Sequence, residues 1–340
     1  MVKVGIVGVS GYSGLLALEL LLDHSAVRLT YVGANNTQGY VHEIWPRLKG
    51  KTKLYCDRFD LNKALDRADL FFLAVPHTAS MEITPQLLKA KKRVIDLSAD
   101  YRLKDKKDYE AWYGLKHTDA SHLGKAVYGL PELYRQDIKN AFLIANPGCY
   151  PTAALLALAP LVSTQAEIIE SIIIDGKSGV SGAGRKVIPG LMFAEVHENF
   201  KAYKVLNHQH TPEINLYLSK LAGKTFKVIF VPHLLPINRG ILETIYIQLQ
   251  DKISESTLLS LYNKFYKTEK FVRVHTIGSQ PEIKDVVGTN YCDIGLAVNQ
   301  DKKLLVITSV IDNLLKGAAG QAVQNMNIMC QFEEDKGLIL

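Results

Sequence analysis

The chain has 340 residues, of which 47% are hydrophobic and 22% charged, a balance typical of a globular protein with two domains and unlike a disordered or fibrous chain. Its formal net charge is +6, with lysine and arginine scattered along the sequence, so nothing indicates a nucleic-acid-binding protein. No apolar run approaches the roughly 20 residues of a membrane helix, so we expect no membrane insertion. The four cysteines lack CxxC and zinc-ligand spacing, so we expect a cytoplasmic protein that binds no metal.

The N-terminal region predicts a dinucleotide-binding unit. A β-branched strand at residues 2–9 leads through a glycine loop to an Ala- and Leu-rich helix at residues 15–22. The loop GIVGVSGYSG spaces its glycines as GxxGxxG rather than GxGxxG, and it would let backbone amides approach a diphosphate at the helix N-terminus. The residues expected at the cofactor are Gly8, Ser10, Gly11, Tyr12, Ser13 and Gly14.

The residues that follow the second predicted strand, at 27–32, indicate which dinucleotide is bound. NAD enzymes usually carry an acidic residue there for the ribose 2′-hydroxyl, and the sequence VGANNT has none. NADP is therefore favoured over NAD. No arginine follows either, so a 2′-phosphate would rely on Asn35, Asn36, Thr37 or a residue brought from elsewhere.

Alternating strands and helices continue the pattern. Strands at 27–32, 70–75 and 93–97 are separated by helical patterns such as those at 61–67 and 81–90, which predicts a parallel sheet with right-handed crossovers. Arg102 follows the last of these strands, at the expected ligand end of the sheet, where it could clamp a carboxylate or phosphate. Alternatively, it forms an ion pair with Asp96 or Asp100.

Cys149 is the strongest candidate for chemistry. A short apolar run at 142–145 leads to the turn NPGCYPT and then to a helical run at 153–161, so the thiol is expected at a helix start. There the helix dipole favours thiolate over thiol. Gly148 and the flanking prolines indicate a loop of fixed shape. The competing interpretation is a buried cysteine that acts as a small hydrophobe.

After Cys149 the pattern changes to longer strands at 168–175, 227–231, 241–250 and 304–311, with a helix at 255–267, which predicts an α+β domain. The loop GKSGVSGAGR that begins at Gly176 lacks P-loop spacing. Its glycines, with Ser178 and Ser181, suit close approach to a flat ring or small anion, or else form a hairpin connection. A final helical pattern at 313–329 is expected to pack on the first domain.

The segment NHQHTPEI offers an acid/base. His208 and His210 are separated by one residue and precede a predicted helix start, and Glu213 could orient either imidazole. His77, His197 and His233 have less informative surroundings, and Arg239 is a weaker anion-binding candidate than Arg102.

Many motifs, in order, carry a resemblance to one family. The chain resembles the N-acetyl-gamma-glutamyl-phosphate reductases of the semialdehyde dehydrogenase group in GVSGYSG, LAVPH, DLSADYRL, YGLPEL, NPGCYPT, GKSGVSGAGR, HQHTPEI, FVPHLLPINRG, VVGTNYCDIG and DNLLKGAAGQA. The resemblance implies an α/β Rossmann-type NADP-binding domain with a parallel sheet at residues 1–148, completed by a C-terminal helix at 313–340. It implies an α+β catalytic and oligomerisation domain at residues 149–312.

The resemblance also implies an activity. Such an enzyme reduces N-acetyl-γ-glutamyl phosphate with NADPH to the semialdehyde and phosphate, in arginine biosynthesis, as a homodimer or homotetramer. Cys149 would be the nucleophile, with His208 the first choice as acid/base and His210 and Glu213 close behind. Further cofactor contacts are expected at Asn35, Ser178, Gly179, Gly182 and Asn313, and substrate contacts at Arg102, Asn146, Ser181 and His197.

Two other interpretations stay open. A related enzyme could reduce aspartyl phosphate or a carrier-linked aminoadipate phosphate with the same thiol and hydride steps. A protein outside the enzymes could sense a dinucleotide and keep an inactive thiol.

Overall fold

The computed structural model describes residues 1–338, and contacts divide the chain into two compact units. The first unit is Met1–Pro147 together with the stretch that starts at Ala318, and the second is Gly148–Gly317. The strands are β1 (Val2–Val7), β2 (Val27–Ala34), β3 (Gly39–Tyr40), β4 (Tyr55–Arg58), β5 (Leu70–Leu73), β6 (Arg93–Asp96), β7 (Val127–Tyr128), β8 (Leu143–Ala145), β9 (Ile169–Gly179), β10 (Lys201–Ala202), β11 (Ile229–Leu235), β12 (Ile241–Leu249), β13 (Val272–Val274), β14 (Cys292–Asn299) and β15 (Leu304–Ile311).

The α-helices are α1 (Tyr12–Leu22), α2 (Val41–Ile44), α3 (Leu61–Arg67), α4 (Ala79–Lys89), α5 (Lys106–Tyr113), α6 (Ala120–Leu123), α7 (Pro131–Lys139), α8 (Cys149–Gln165), α9 (Phe193–Val196), α10 (His210–Ala222), α11 (Glu255–Phe265) and α12 (Gly320–Met329). Within residues 1–338, none of these helices is long and apolar enough to cross a membrane.

The first unit contains an eight-stranded sheet in the order β3-β4-β2-β1-β5-β6-β8-β7. Its strands are parallel except for β3, which pairs antiparallel with β4. Apolar residues fill β1 and β5 because helices cover both faces of such a sheet. The strand order reverses between β1 and β5, and ligands bind beyond the carboxyl ends of strands at such a point. The expected Rossmann-type fold is confirmed.

The C-terminal segment belongs to this unit. The helix expected at 313–329 is a π-helical turn at Leu315–Ala319 followed by α12, which contacts α1, α7 and β6. Buried amides hold it, since the side chains of Gln321 and Asn325 both donate to the carbonyl oxygen of Gly129. The last two positions of the helix expected at 313–340 lie outside the described residues.

The second unit contains a seven-stranded mixed sheet in the order β10-β11-β9-β12-β15-β14-β13. Alternation along β12 puts Ile241, Ile245 and Ile247 on a buried face, against which α8 packs. The opposite face exposes Ile173, Ile229 and Tyr246. This mixed sheet agrees with the α+β architecture expected from the sequence, although β10, β13 and β14 were not predicted.

Candidate active site

The thiol of Cys149 lies at the first residue of α8, as the sequence predicts. Gly148 is the N-cap, with extended backbone angles, and no side chain caps the helix. Cys149 is half-buried and forms no disulfide with another described residue. Gly317 packs directly against it, because a Cβ atom at Gly317 would lie 2.8 Å from the Cys149 Cβ. Two glycines therefore bring backbone close to this side chain.

The N-terminus of α10 meets this turn. The backbone N–H of Gly148 donates to Oε1 of the fully buried Glu213 at 2.9 Å. A Cβ atom built on Gly148 would lie 2.5 Å from Nε2 of His210, so the imidazole touches the residue that precedes the thiol. The structure thus brings Cys149, His210 and Glu213 together.

His208 has different surroundings. It is buried among the rings of Tyr150, Tyr203 and Phe230, and its Nδ1 accepts a hydrogen bond from the backbone N–H of His210 at 3.1 Å. Burial, with a smaller contribution from the charge of Lys204, lowers the pKa of His208 to about 4. His208 is therefore neutral at physiological pH and fixes the start of α10. The geometry favours His210 as the acid/base, the reverse of the order expected from the sequence.

A buried polar interior lies beneath α8. The ring of Tyr150 covers Gly176, where a Cβ atom would lie 2.7 Å from its Cε1, and its hydroxyl donates to the carbonyl of His233. Glu243 is the cross-strand partner of Gly176 and is fully buried. Among the described residues, neither of its carboxyl oxygens has a hydrogen-bond partner. Burial raises the pKa of Glu243 well above its ordinary value, and no sequence signal pointed to this residue.

The second glycine-rich loop is held by buried hydrogen bonds. The amide of Asn313 accepts from the backbone N–H of Gly240 at 2.8 Å and donates to Oγ of Ser181 at 3.0 Å. Ser178 is buried and donates to the carbonyl of Gly179, whereas Gly182 is exposed. The expected ligand contacts of these five residues stay predictions, and their observed contacts shape the loop.

Asp312 was missed by sequence reasoning. Its buried carboxylate accepts from the backbone N–H groups of Gly288, Leu314 and Leu315 and pairs with Arg239. It thereby fixes the chain that leads to Gly317. Its position directly after a predicted hydrophobic strand, as the first residue of DNLLKG, is the signal that could have identified it.

The glycine loop between β1 and α1 has the geometry of a phosphate-binding turn. Gly8 has a φ of +99°, and a Cβ atom at Gly14 would lie 2.2 Å from the carbonyl oxygen of Gly8. At Gly11, the N-cap of α1, the nearest atom to an added methyl group would be 3.7 Å away. The space in front of this helix N-terminus is therefore open to a ligand. Ser10, Tyr12 and Ser13 are partly exposed there.

Trp45 supports this loop and was also missed. Its indole N–H donates to the carbonyl oxygen of Val9 at 2.9 Å, and its ring lies 6.4 Å from that of Tyr12. A tryptophan far along the chain in a short irregular segment gave no sequence signal for such a contact. At the end of β2, Asn35 is exposed, as a ribose contact requires.

Three predicted substrate residues have other surroundings. Arg102 is buried, and its Nε and Nη2 donate to the carbonyl oxygens of Asn146 and Leu97. Neither of these two bonds goes to Asp96 or Asp100, the alternative ion-pair partners considered from the sequence. The bond to Asn146 stabilises the backbone at the end of β8. The amide of Asn146 donates to the carbonyl of Ala318 and accepts from Asn325.

His197 is exposed at the end of α9, 4.9 Å from the ring of Phe193. Its expected substrate contact, like those of Arg102 and Asn146, stays a prediction.

Comparison with known proteins gives consistent results. Residues 3–141 match the NAD binding domain of semialdehyde dehydrogenases, and residues 149–313 match their dimerisation domain. The chain is 50% identical over 340 residues to the N-acetyl-gamma-glutamyl-phosphate reductase of Desulfotalea psychrophila, covering 99% of this chain and 98% of the relative. It is 48% identical over 341 residues to that of Pelotomaculum thermopropionicum, covering 99% and 97%.

Solved structures support the fold. Aspartate semialdehyde dehydrogenase II from Vibrio cholerae, complexed with ASA, aligns with a TM-score of 0.73 at 16% identity over 97% of this chain and 98% of that one. Aspartate semialdehyde dehydrogenase with NADP from Candida albicans aligns with a TM-score of 0.73 at 13% identity, over 97% and 99%.

Proposed function

Because the chain belongs to the N-acetyl-gamma-glutamyl-phosphate reductase family of semialdehyde dehydrogenases, we propose that it reduces N-acetyl-γ-glutamyl phosphate with NADPH. The products are N-acetyl-L-glutamate 5-semialdehyde and phosphate, and the reaction is a step of L-arginine biosynthesis. The observation that carries this proposal is the placement of Cys149 at the N-terminus of α8 with His210 against the preceding residue.

Acyl transfer to the thiol is the first step. The sulfur of Cys149 attacks the carbonyl carbon of the acyl phosphate, a C–S bond forms, and the C–O bond to phosphate breaks. His210 takes the thiol proton and returns it to the departing phosphate. Glu213 holds the Gly148 backbone at 2.9 Å, which fixes the sulfur relative to the imidazole. The product of this step is a thioester on Cys149.

Reduction of the thioester needs a hydride donor and a site for negative charge. NADPH, when bound, supplies the hydride to the thioester carbonyl carbon. The first turn of α8 presents backbone N–H groups at the positive end of the helix dipole, where they can stabilise the oxyanion that forms. Collapse of the tetrahedral species breaks the C–S bond and regenerates the Cys149 thiolate as the aldehyde leaves.

The glycine loop fits a dinucleotide. Gly11 leaves the N-terminus of α1 open, and no acidic residue follows β2, where NAD enzymes place one. We assign the diphosphate to the loop formed by Gly8, Gly11 and Gly14 and the ribose to Asn35. NADPH is the cofactor expected from these residues.

The decisive assay runs the reaction in reverse. Wild-type protein should oxidise N-acetylglutamate semialdehyde only when NADP⁺ and phosphate are both present. Cys149→Ser should lower this rate by at least about a thousandfold, because a hydroxyl is a far weaker nucleophile than a thiolate. Cys330→Ser, which changes another half-buried thiol, is the matched control and should keep the wild-type rate. A Cys149→Ser variant with wild-type turnover would remove the thioester mechanism.

Substrate choice is tested in the same assay. The aldehydes that correspond to aspartyl phosphate and to carrier-linked aminoadipate phosphate are offered at equal concentration. We expect the acetylglutamate aldehyde to be used with the highest kcat/KM. A higher kcat/KM for either competitor would assign the chain to that reaction, and no turnover at all would favour a dinucleotide-sensing protein.

We also infer a homo-oligomer in the cytoplasm. Ile173, Ile229 and Tyr246 are exposed on one sheet face of the second unit, and Phe193 of the same unit is 77% exposed. Large exposed apolar patches mark association surfaces, and the matched family model is a dimerisation domain. Light scattering should give a mass of at least twice 37.8 kDa. Four cysteines that form no disulfide among the described residues fit a reducing compartment.

A further inference from the structure

An arginine that no sequence motif singled out lies beside the end of β2. The expected 2′-phosphate contact lacks a cation in the segment that follows this strand, which reads Asn35-Asn36-Thr37. The sheet supplies one from a different strand. In the parallel pair of β2 and β4, Ala34 is the register partner of Arg58, and the backbone N–H of Phe59 donates to the carbonyl of Ala34 at 3.0 Å.

The loop after β2 crosses the end of β4. Since β3 pairs with the far edge of β4, through Gly39 with Cys56, the four residues between β2 and β3 must pass over the carboxyl end of β4. The Sγ of Cys56 lies 3.6 Å from the carbonyl oxygen of Thr37, which places this loop next to the strand. Asn35 and Arg58 therefore lie at the same corner of the sheet.

The chain direction determines which way Arg58 points. The connection from β1 through α1 runs toward β2, whereas the connection from β4 through α3 runs back across the sheet to β5. Right-handed crossovers in opposite directions put α1 and α3 on opposite faces. Asp57 forms ion pairs with Lys63 and Arg67 of α3, so it faces the α3 side.

Successive side chains of a strand point to opposite faces. Arg58, the residue after Asp57, therefore points to the face of α1, where the glycine loop lies. Its side chain is exposed, and within the described residues it has no hydrogen bond or ion pair. The other arginines nearby are occupied, Arg67 by Asp57 and Arg47 by Glu19.

We propose that Arg58, brought to the end of β2 by the β2–β4 pairing, binds the 2′-phosphate of NADP(H) and determines the preference over NAD(H). This inference rests on the proposed function for the cofactor but names a residue outside the segment where such residues usually follow the second strand. A guanidinium matches a phosphate through two parallel hydrogen bonds, and Asn35 and Thr37 add neutral donors around it.

The test measures binding, not turnover. Fluorescence titration of the full-length protein with NADPH, NADH and 2′,5′-ADP compares wild type, Arg58→Ala, Arg58→Lys and the control Arg28→Ala. Arg28 is exposed on the same strand pair but at the start of β2. We expect Arg58→Ala to weaken NADPH and 2′,5′-ADP by about ten- to a hundredfold, the range for charge-assisted hydrogen bonds. NADH affinity should change less than twofold, and Arg58→Lys should be intermediate.

Each outcome has a distinct meaning. Equal weakening of NADPH and NADH, or no change in either, would overturn the assignment of Arg58 while leaving the proposed reductase intact. Wild-type protein that binds NADH as tightly as NADPH would overturn the NADP preference itself, and with it this inference. A loss caused equally by Arg28→Ala would show that only overall charge matters and would also overturn it.

Discussion

Two helices of this protein begin in the same way but have different surroundings. α1 and α8 each follow a buried strand and a tight turn, each has glycine as its N-cap, and neither has a side-chain cap or an acidic residue in its first turn. At α1 the residues around Gly11 are half-exposed and leave open space. At α8 the N-cap Gly148 is buried between Glu213 and His210.

This difference indicates that any helix N-terminus can stabilise negative charge. The packing around it determines whether a ligand or a side chain of the protein supplies that charge. An open N-terminus accepts an anion from solution, as the diphosphate of a nucleotide. A closed one that carries a thiol at its first residue places the positive end of the helix dipole beside that sulfur. The same sequence pattern of strand, glycine turn and apolar helix describes both.

Among the variants that compare the two helix N-termini, substitution of the buried N-cap should have the largest effect. Gly148→Ala introduces a Cβ atom 2.5 Å from Nε2 of His210, and the imidazole is the part that can move. Because a misplacement of about 1 Å can cost a hundredfold in rate, we expect kcat to fall by about that factor while NADPH affinity stays unchanged. Steady-state rates and fluorescence titration measure the two quantities.

Gly124→Ala is the control for this variant, since a Cβ atom there meets nothing within 4 Å. A Gly148→Ala enzyme whose kcat stays within threefold of wild type would contradict the role of His210. It would also show that the N-caps of α1 and α8 both tolerate an added methyl group.

Sequence analysis could recover much of this comparison. The GxxGxxG loop, the strand before it and the position of Cys149 at a helix start follow from local patterns, because turn chemistry and hydrophobic periodicity are local. Both units were also expected to have the sheet classes observed, since long alternating and continuous apolar runs differ along the chain.

Local sequence patterns could not predict the packing between distant segments. His208 and His210 are two residues apart, and only the approach of α10 to Gly148 separates a buried imidazole from one beside the thiol. Arg58 reaches the end of β2 through the register of a neighbouring strand, and Glu243 lies beneath α8 through pairing with Gly176. Strand register depends on the whole sheet, so no window of sequence contains it.

The interior beneath α8 gives a second prediction, on stability. Burial raises the pKa of Glu243 in the folded protein, so its carboxyl ionises at a higher pH there than in the unfolded chain, where the ordinary value is about 4.5. Stability is therefore lost as pH rises from that value toward the folded pKa, by up to about 1.4 kcal/mol per pH unit. Glu243→Gln, which cannot ionise, should remove this slope. Denaturant unfolding at several pH values measures it.

Glu170→Gln, which changes an exposed glutamate of β9 in the same sheet, is the matched control and should leave the pH slope of wild type. If Glu243→Gln unfolds with the same pH dependence as wild type, Glu243 is ionised in the folded protein, and α8 then lies over a buried negative charge that α1 does not need to tolerate.

The smallest effect on stability is expected at the open N-cap. Gly11 has a φ of −88° and a ψ of 166°, which alanine adopts without strain, and a Cβ atom there is in ordinary contact with Gly8. Gly11→Ala should change the free energy of unfolding of the cofactor-free protein by less than about 1 kcal/mol. The added methyl group nevertheless occupies the space in front of α1, so NADPH affinity should fall several-fold. Unchanged affinity would show that the diphosphate does not lie at Gly11, and α1 would then lose its place in the comparison as the anion-binding helix.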